Sequence, residues 1–167
     1  EQGRGIAGEI GTAFIGIDVS PSPWMEMSVA RVVEALSGVS VGAPGSLSAI
    51  RRLNEAVWRA GKGLPLIGFN ETMLPVAEDN VLKVRTLEGL RVRDLALLTL
   101  GCLAGIDMVV LPWEGGAEAL GGLILDQVVV HRLKAMPLGM RVILYEGVRP
   151  GDKVELDKFG AVPVSAL

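Results

Sequence analysis

Hydrophobic positions along the chain change their spacing several times, and each change marks an element. Apolar residues run almost unbroken through "AFIGID" (13–18), "LPLIGFNE" (64–71), "IDMVVLPWE" (106–114) and "MRVILYE" (140–146). Short apolar runs bounded by turn residues predict strands buried on both faces. Between them the spacing becomes helical. Val29, Val33 and Leu36 share one helical face; Ser22 with Pro23 at the first position is the predicted start, and Gly38 the stop. Ser46 opens a second helix, which Gly61 and Gly63 close. Its buried stripe is Leu47, Ile50, Leu53 and Val57, and Arg51, Arg52, Glu55 and Arg59 face water. "LPVAEDN" (74–80) leads into a short helix over 81–87. Residues 92–104 read as a helix that is apolar nearly all round and therefore deeply buried, with Gly105 ending it. Gly115 and Gly116 turn the chain into a long helix over 117–134. "VRPGDK" (148–153) is a turn, and a short strand lies near "GAVPV" (160–164).

Strands alternating with crossover-length helices predict parallel pairing and a single α/β domain over residues 1–167. One feature recurs at the strand ends. The four runs reach an acid at Asp18, Glu71, Glu114 and Glu146. In parallel α/β architectures the carboxyl ends of the strands open on one face, and that face carries the ligand site. The expectation is an acidic mouth of four carboxylates, with Ser20 beside Asp18. Converging like charges repel one another and favour an intervening cation. Asp18→Asn is therefore expected to leave the metal-free protein at least as stable as before.

Composition narrows the partners. The chain is 50% hydrophobic with net charge −3 and mean hydropathy +0.45. The acidic balance leaves no basic footprint for nucleic acid, and aromatic residues at 4% leave few stacking platforms for single strands. The longest apolar run, residues 95–106, is too short for a membrane span and carries two glycines. No charged-then-apolar leader precedes it, and the single cysteine, Cys102, has no disulfide partner, so the expected location is cytoplasmic. Basic residues are mostly arginine, and Asn, Gln and Cys are scarce, a composition that leans towards a thermophilic source.

Other motifs yield to plainer readings. "GRGIAG" (3–8) fits GxGxxG by letter but precedes the first strand instead of following one, which is the wrong context for a dinucleotide. Cys102 reads as a small buried hydrophobe, and His131 as a helix-surface or capping residue. Gly115–Gly116 is a tight strand-to-helix turn, with an anion nest as the alternative. Glu78 and Asp79 are helix caps, with a place in the site as the alternative.

Four pieces, "GIDVSPSP" (16–23), "LPVAED" (74–79), "CLAGIDMVVLPWEG" (102–115) and "PGDKVELDKFGAVPV" (150–164), resemble in order the later part of an uncharacterised bacterial and archaeal family known as pyruvate-formate-lyase-like. The resemblance implies half of a barrel like that of glycyl-radical enzymes. It also implies that the chain, which starts without methionine, is a C-terminal fragment of a longer protein. It does not bring the radical: "RVILY" (141–145) has Leu144 where the radical glycine would stand, and Cys102 lacks a paired cysteine. Asn70–Glu71 and Glu114 depart from the family pattern, where small residues and an aspartate are expected.

Two functions follow, with a plain third. The first is an enzyme using Mg²⁺ or Mn²⁺ on a small anionic metabolite. Asp18, Glu71, Glu114 and Glu146 would be ligands, and Asp18, Ser20 and Glu71 would serve catalysis. The second is a non-catalytic or regulatory protein binding a cationic or polyhydroxylated small molecule. The third is one half of an assembly, covered by the remainder of a longer chain or by a second copy, whose acids are merely solvated.

Overall fold

The computed structural model describes residues 1–167. It is a mixed α/β structure with six helices and six short strands: α1 (Gln2–Glu9), α2 (Val29–Ser37), α3 (Ser46–Ala60), β1 (Met73–Pro75), α4 (Asn80–Leu87), α5 (Val92–Leu98), β2 (Ala104–Asp107), β3 (Val109–Pro112), α6 (Trp113–Lys134), β4 (Val142–Tyr145), β5 (Lys153–Glu155) and β6 (Ala161–Pro163). No helix is long and apolar enough to cross a membrane.

The strands make three pairs. β1 runs parallel to β2, β3 runs parallel to β4, and β5–β6 is an antiparallel hairpin. β2 and β3 are consecutive stretches bent at Met108, whose φ is +48°. The first half of this bent run therefore pairs with β1 and the second half with β4. Parallel pairing is as expected, but the strands close no barrel and form no continuous half-barrel sheet. The main core gathers Val33 of α2, Ile50 of α3, Leu74 of β1, Leu95 of α5 and Leu111 of β3. A smaller one, including Val110, Val154 and Val162, seats the hairpin.

Helix signals in the sequence were mostly sound. Gly38 ends α2 in the left-handed conformation, φ +73°. α3 starts at Ser46, and α4 covers the expected residues. Gly115, φ +79°, makes the turn within the first residues of α6, after which the regular helix runs on from Gly116. The start of α2 needs correction, because Ser28 rather than Ser22 is the cap, its hydroxyl accepting from the Arg31 amide at 2.9 Å. Residues before it fold into a Trp24–Met27 turn tied to the Glu78 carbonyl through the Met25 amide.

Three further boundaries move. Residues 13–18 and 64–71 contribute only a single parallel bridge, Ile17 to Leu66, and the strand expected at 64–71 starts later, at Met73. α5 stops at Leu98, and Gly105 lies inside β2. A Cβ on Gly105 would sit 2.2 Å from the Leu95 carbonyl oxygen, so this glycine lets the strand press against α5 rather than ending a helix. On α3, Asn54 rather than Leu53 is the buried residue of the turn that follows Ile50. Its amide donates to the Gly101 carbonyl at 2.6 Å, and its oxygen accepts from the Thr72 amide and hydroxyl at 2.9 and 2.6 Å.

Candidate functional site

The four strand-end acids fall into two separate places. Asp18 follows the Ile17 bridge and is exposed. Its Oδ1 accepts from the Ser20 amide at 2.8 Å, the Ser20 hydroxyl at 2.5 Å and the Asn70 amide at 3.2 Å, and its Oδ2 accepts from the Phe69 amide at 2.9 Å. Partial desolvation alone would raise its pKa, but these four donors outweigh it and hold the carboxyl at about 2. Gly68, at φ +77°, permits this closeness, since a Cβ there would lie 2.3 Å from Asp18 Oδ2. Asp18 is a clasp between two loops.

Ser20 extends the clasp inward. Its Oγ also accepts from the Glu71 amide at 3.3 Å. Glu71 is 2% exposed, and its Oε2 accepts from Lys134 Nζ at 2.6 Å. The same ammonium donates to the Cys102 carbonyl at 2.6 Å. Because β1 starts at Met73 and the Leu103 amide donates to the Thr72 carbonyl, Glu71 stands at the amino end of β1–β2, not at its carboxyl end.

Glu114 and Glu146 are exposed and follow Pro112 and Tyr145, the last paired residues of β3 and β4. Glu71 lies at the amino end of β1–β2 and these two at the carboxyl end of β3–β4, so the whole bent run of β2 and β3 stands between them. The single four-acid mouth expected from the sequence is therefore not assembled. No three His, Cys, Asp or Glu side chains lie close enough together to hold a metal ion.

A different cluster occupies the carboxyl end of β1–β2, where open parallel sheets place ligands. Asp107, paired in register with Pro75, is 1% exposed. It accepts from Arg141 through Nε and, at 2.9 Å, through Nη2. Arg141 Nη2 also stands 3.1 Å from Glu78 Oε1, and the Arg141 side chain remains 49% exposed. The Asp107 hydrogen bond leads the interactions that raise the guanidinium pKa and keep it charged. Two non-glycine residues with positive φ flank the cluster in sequence or by hydrogen bond, Met108 at +48° and Met25 at +53°. Each such residue stores on the order of 1 kcal/mol of strain or more.

Asp79, adjacent to Glu78, is fully buried. It accepts from Ala30 at the start of α2 and from Val81 and Leu82 at the start of α4. It caps two helices with one carboxylate. Cys102 is fully buried, and burial pushes its thiol up to about 12, which removes it as a nucleophile. His131 is exposed, with Nδ1 2.8 Å from the Met136 carbonyl just beyond α6. Leu144, which stands in the place of a radical glycine, is a half-buried residue of β4 paired with Leu111.

Sequence reasoning missed Lys134, Asp107 and Arg141. Asp107 carried a signal, an isolated acid inside "AGIDMVV" with no turn residue beside it. Lys134 and Arg141 carried none, because their partners lie 63 and 34 residues away.

Comparison with known proteins supplies relatives. The family described as "Uncharacterised ACR (DUF711)" matches residues 1–157. A "UPF0210 protein" of Methanopyrus kandleri is 34% identical over 97% of this chain and 37% of its own length. One of Pyrobaculum arsenaticum is 36% identical over 92% of the chain and 36% of its own. One of Clostridium acetobutylicum is 31% identical over 90% and 34%. Thermophiles are among these hosts. The chain thus spans little more than a third of the relatives it matches, and no solved structure matches it. The expectation of an uncharacterised family common to bacteria and archaea stands, without the pyruvate-formate-lyase label. The chain belongs to the uncharacterised DUF711/UPF0210 family.

Proposed function

We propose that this region binds a small polyhydroxylated metabolite at the carboxyl end of β1–β2, and that binding rather than metal-dependent catalysis is its contribution. The observation that carries the reading is Arg141, held by buried Asp107 and by Glu78 yet half exposed. A guanidinium fixed in this way is pre-oriented, and its Nη1 makes no hydrogen bond within the protein. Two carboxylates against one guanidinium leave a net negative charge, which disfavours an anion. A rim of donors and acceptors with that charge suits hydroxyl groups. Against metal-dependent catalysis stands the separation of the acids, because a hard divalent cation needs several oxygens within reach at once.

The test is thermal melting of the wild type, Glu78→Gln and Arg141→Lys against ribose, inositol, citrate and MgCl₂. At about 100 times its dissociation constant, a polyol should stabilise the wild type by about 2.7 kcal/mol, or roughly 5–10 °C for a domain of this size. Both variants should lose most of that shift. A Mg²⁺-dependent shift with no polyol response would overturn the reading in favour of a metal centre. No response to any probe would leave the cluster a structural tie.

A further inference from the structure

α6 is the longest helix in the molecule, and it is the long helix with the least buried surface. Only Gly116 and Gln127 of its 22 residues are buried. On its outward face Leu125, Val129 and Leu133 recur at four-residue spacing and are 68%, 55% and 76% exposed. Ile124 and Val128 widen the same stripe and are also exposed. Upstream, Gly121 and Gly122 have open space where a Cβ would be. Five large aliphatic side chains, with exposed Arg132 among them, share one helix face that no other element covers, and isolated soluble domains seldom leave so much apolar surface in water.

The whole molecule carries the same excess. Its accessible surface is 9129 Å², whereas a compact monomer of 17.6 kDa is expected to expose about 7,900 Å². The inner side of α6 is held at its two ends, by buried Gly116 against Leu111 and Leu144 and by Lys134, which reaches Glu71 and the Cys102 carbonyl. Beside α6, a groove of about 380 Å³ opens towards Leu138 and Met140. The Nε2 of Gln127 on that flank is buried without a hydrogen-bond partner.

We infer that the outward face of α6 is an intramolecular interface, covered in the family-length protein by an apolar segment from the part of the polypeptide that these residues do not span. The relatives decide the occupant. Each carries this region within a chain more than twice its length, so the covering segment is tethered and needs no free partner. A tether places it at high effective concentration, which makes modest apolar contacts sufficient. Gly121 and Gly122 allow that segment to approach the α6 backbone closely at one end of the contact, while Leu125, Val129 and Leu133 supply the apolar area at the other.

Thiol labelling tests this directly, because the native Cys102 is fully buried. Leu125→Cys is labelled with a maleimide in the isolated 167-residue chain and in the Methanopyrus kandleri relative whose matching segment is replaced by these residues. Arg52→Cys, on the exposed side of α3, is the control. Leu125→Cys should react at least tenfold more slowly in the long protein, and Arg52→Cys equally in both. Equal rates for Leu125→Cys would overturn the inference. Slow labelling already in the isolated chain, with a dimer by sedimentation, would also overturn it and assign the face to a second copy.

A second measurement needs no graft. Hydrogen exchange in the unaltered Methanopyrus kandleri protein should show the long glycine-led helix of the matching region protected to the level of that region's other helices. Fast exchange there would contradict the inference independently.

Discussion

α3 and α6 are the two long helices, and they solve the problem of burial in opposite ways. α3 presents Ala49, Ile50 and Asn54 to the core and Arg51, Arg52 and Arg59 to water. Its polar face is a solvent face, with Arg51 paired to Glu55 at 2.9 Å and lying 5.0 Å from the Trp58 ring centroid. α6 has no such division. Apolar residues occupy both its inner and outer sides, and its strongest tie is a single ammonium at its last residue. A helix with large apolar residues on both its inner and outer sides, and only a few charges such as Glu118, Asp126 and Arg132 between them, belongs inside a larger structure. The contrast separates a helix finished by its own domain from one that needs further protein.

Substitutions that break the anchors of each helix sharpen this contrast. The largest loss is expected at the foot of α6. Lys134→Met leaves the carboxylate of Glu71, 2% exposed, without its counter-charge. Removing one partner of a buried pair costs about 3–5 kcal/mol. A urea melt should show that loss, and Glu71→Gln combined with Lys134→Met should recover part of it. If Lys134→Met melts like the wild type, the ammonium does not hold α6 in place.

Ile50→Ala probes the finished helix. Ile50 is fully buried in the main core, and such truncations cost about 2–5 kcal/mol. The midpoint of chemical unfolding should fall accordingly, and a loss under 1 kcal/mol would mean that the core around α3 is looser than its burial indicates.

Asp18→Asn should cost less, about 1 kcal/mol, because the hydrogen bonds it weakens are charge-assisted but partly exposed to solvent. The direction reverses the expectation from the sequence, where relief of repulsion was to leave the protein at least as stable. The pH dependence follows from the depressed folded-state pKa of about 2 against the ordinary 3.8. The carboxylate's contribution is fully present above about pH 4–5, where the unfolded chain is also ionised, and fades as pH falls towards 2. Acid titration of stability should therefore lose one step in Asp18→Asn. An unchanged acid profile would mean that the clasp contributes nothing.

The smallest effect is predicted on the outer face of α6. Leu125→Glu and Val129→Glu in the isolated chain should change stability by no more than about 0.5 kcal/mol, as is usual for exposed positions. A loss above 2 kcal/mol would show that these side chains are already packed.

Much of this was legible in the residues. Helical spacing with Gly38, Ser46 and Gly115 located α2, α3 and α6 because these signals are local: a stop, a start and a turn, each within a few residues of the element it bounds. The same locality explains the failures. "LPLIGFNE" has strand composition, but Trp58 Nε1 donates to the Asn70 carbonyl at 2.7 Å and Asp18 accepts from the Phe69 and Asn70 amides. Those residues therefore fold as a clasped loop, and β1 starts after Glu71. That shift of a few residues moved Glu71 to the other end of its strand and dissolved the apparent phase of the four acids. The Asp107–Arg141–Glu78 cluster was legible only in pieces, Glu78 as an alternative site residue and Asp107 as an isolated acid, for a different reason. Its geometry depends on the bend at Met108 and on the parallel pairing around it, which no local pattern encodes.

The central claim, that α3 is finished and α6 is not, is met most directly by hydrogen exchange resolved along the isolated 167-residue chain. Helices with few buried contacts open locally at low free energy. Residues 119–130 of α6 should exchange at least a hundredfold faster than residues 49–57 of α3 under native conditions in a monomeric sample. Equal protection of the two helices in that monomer would mean that α6 is held by its own domain, and would contradict the account.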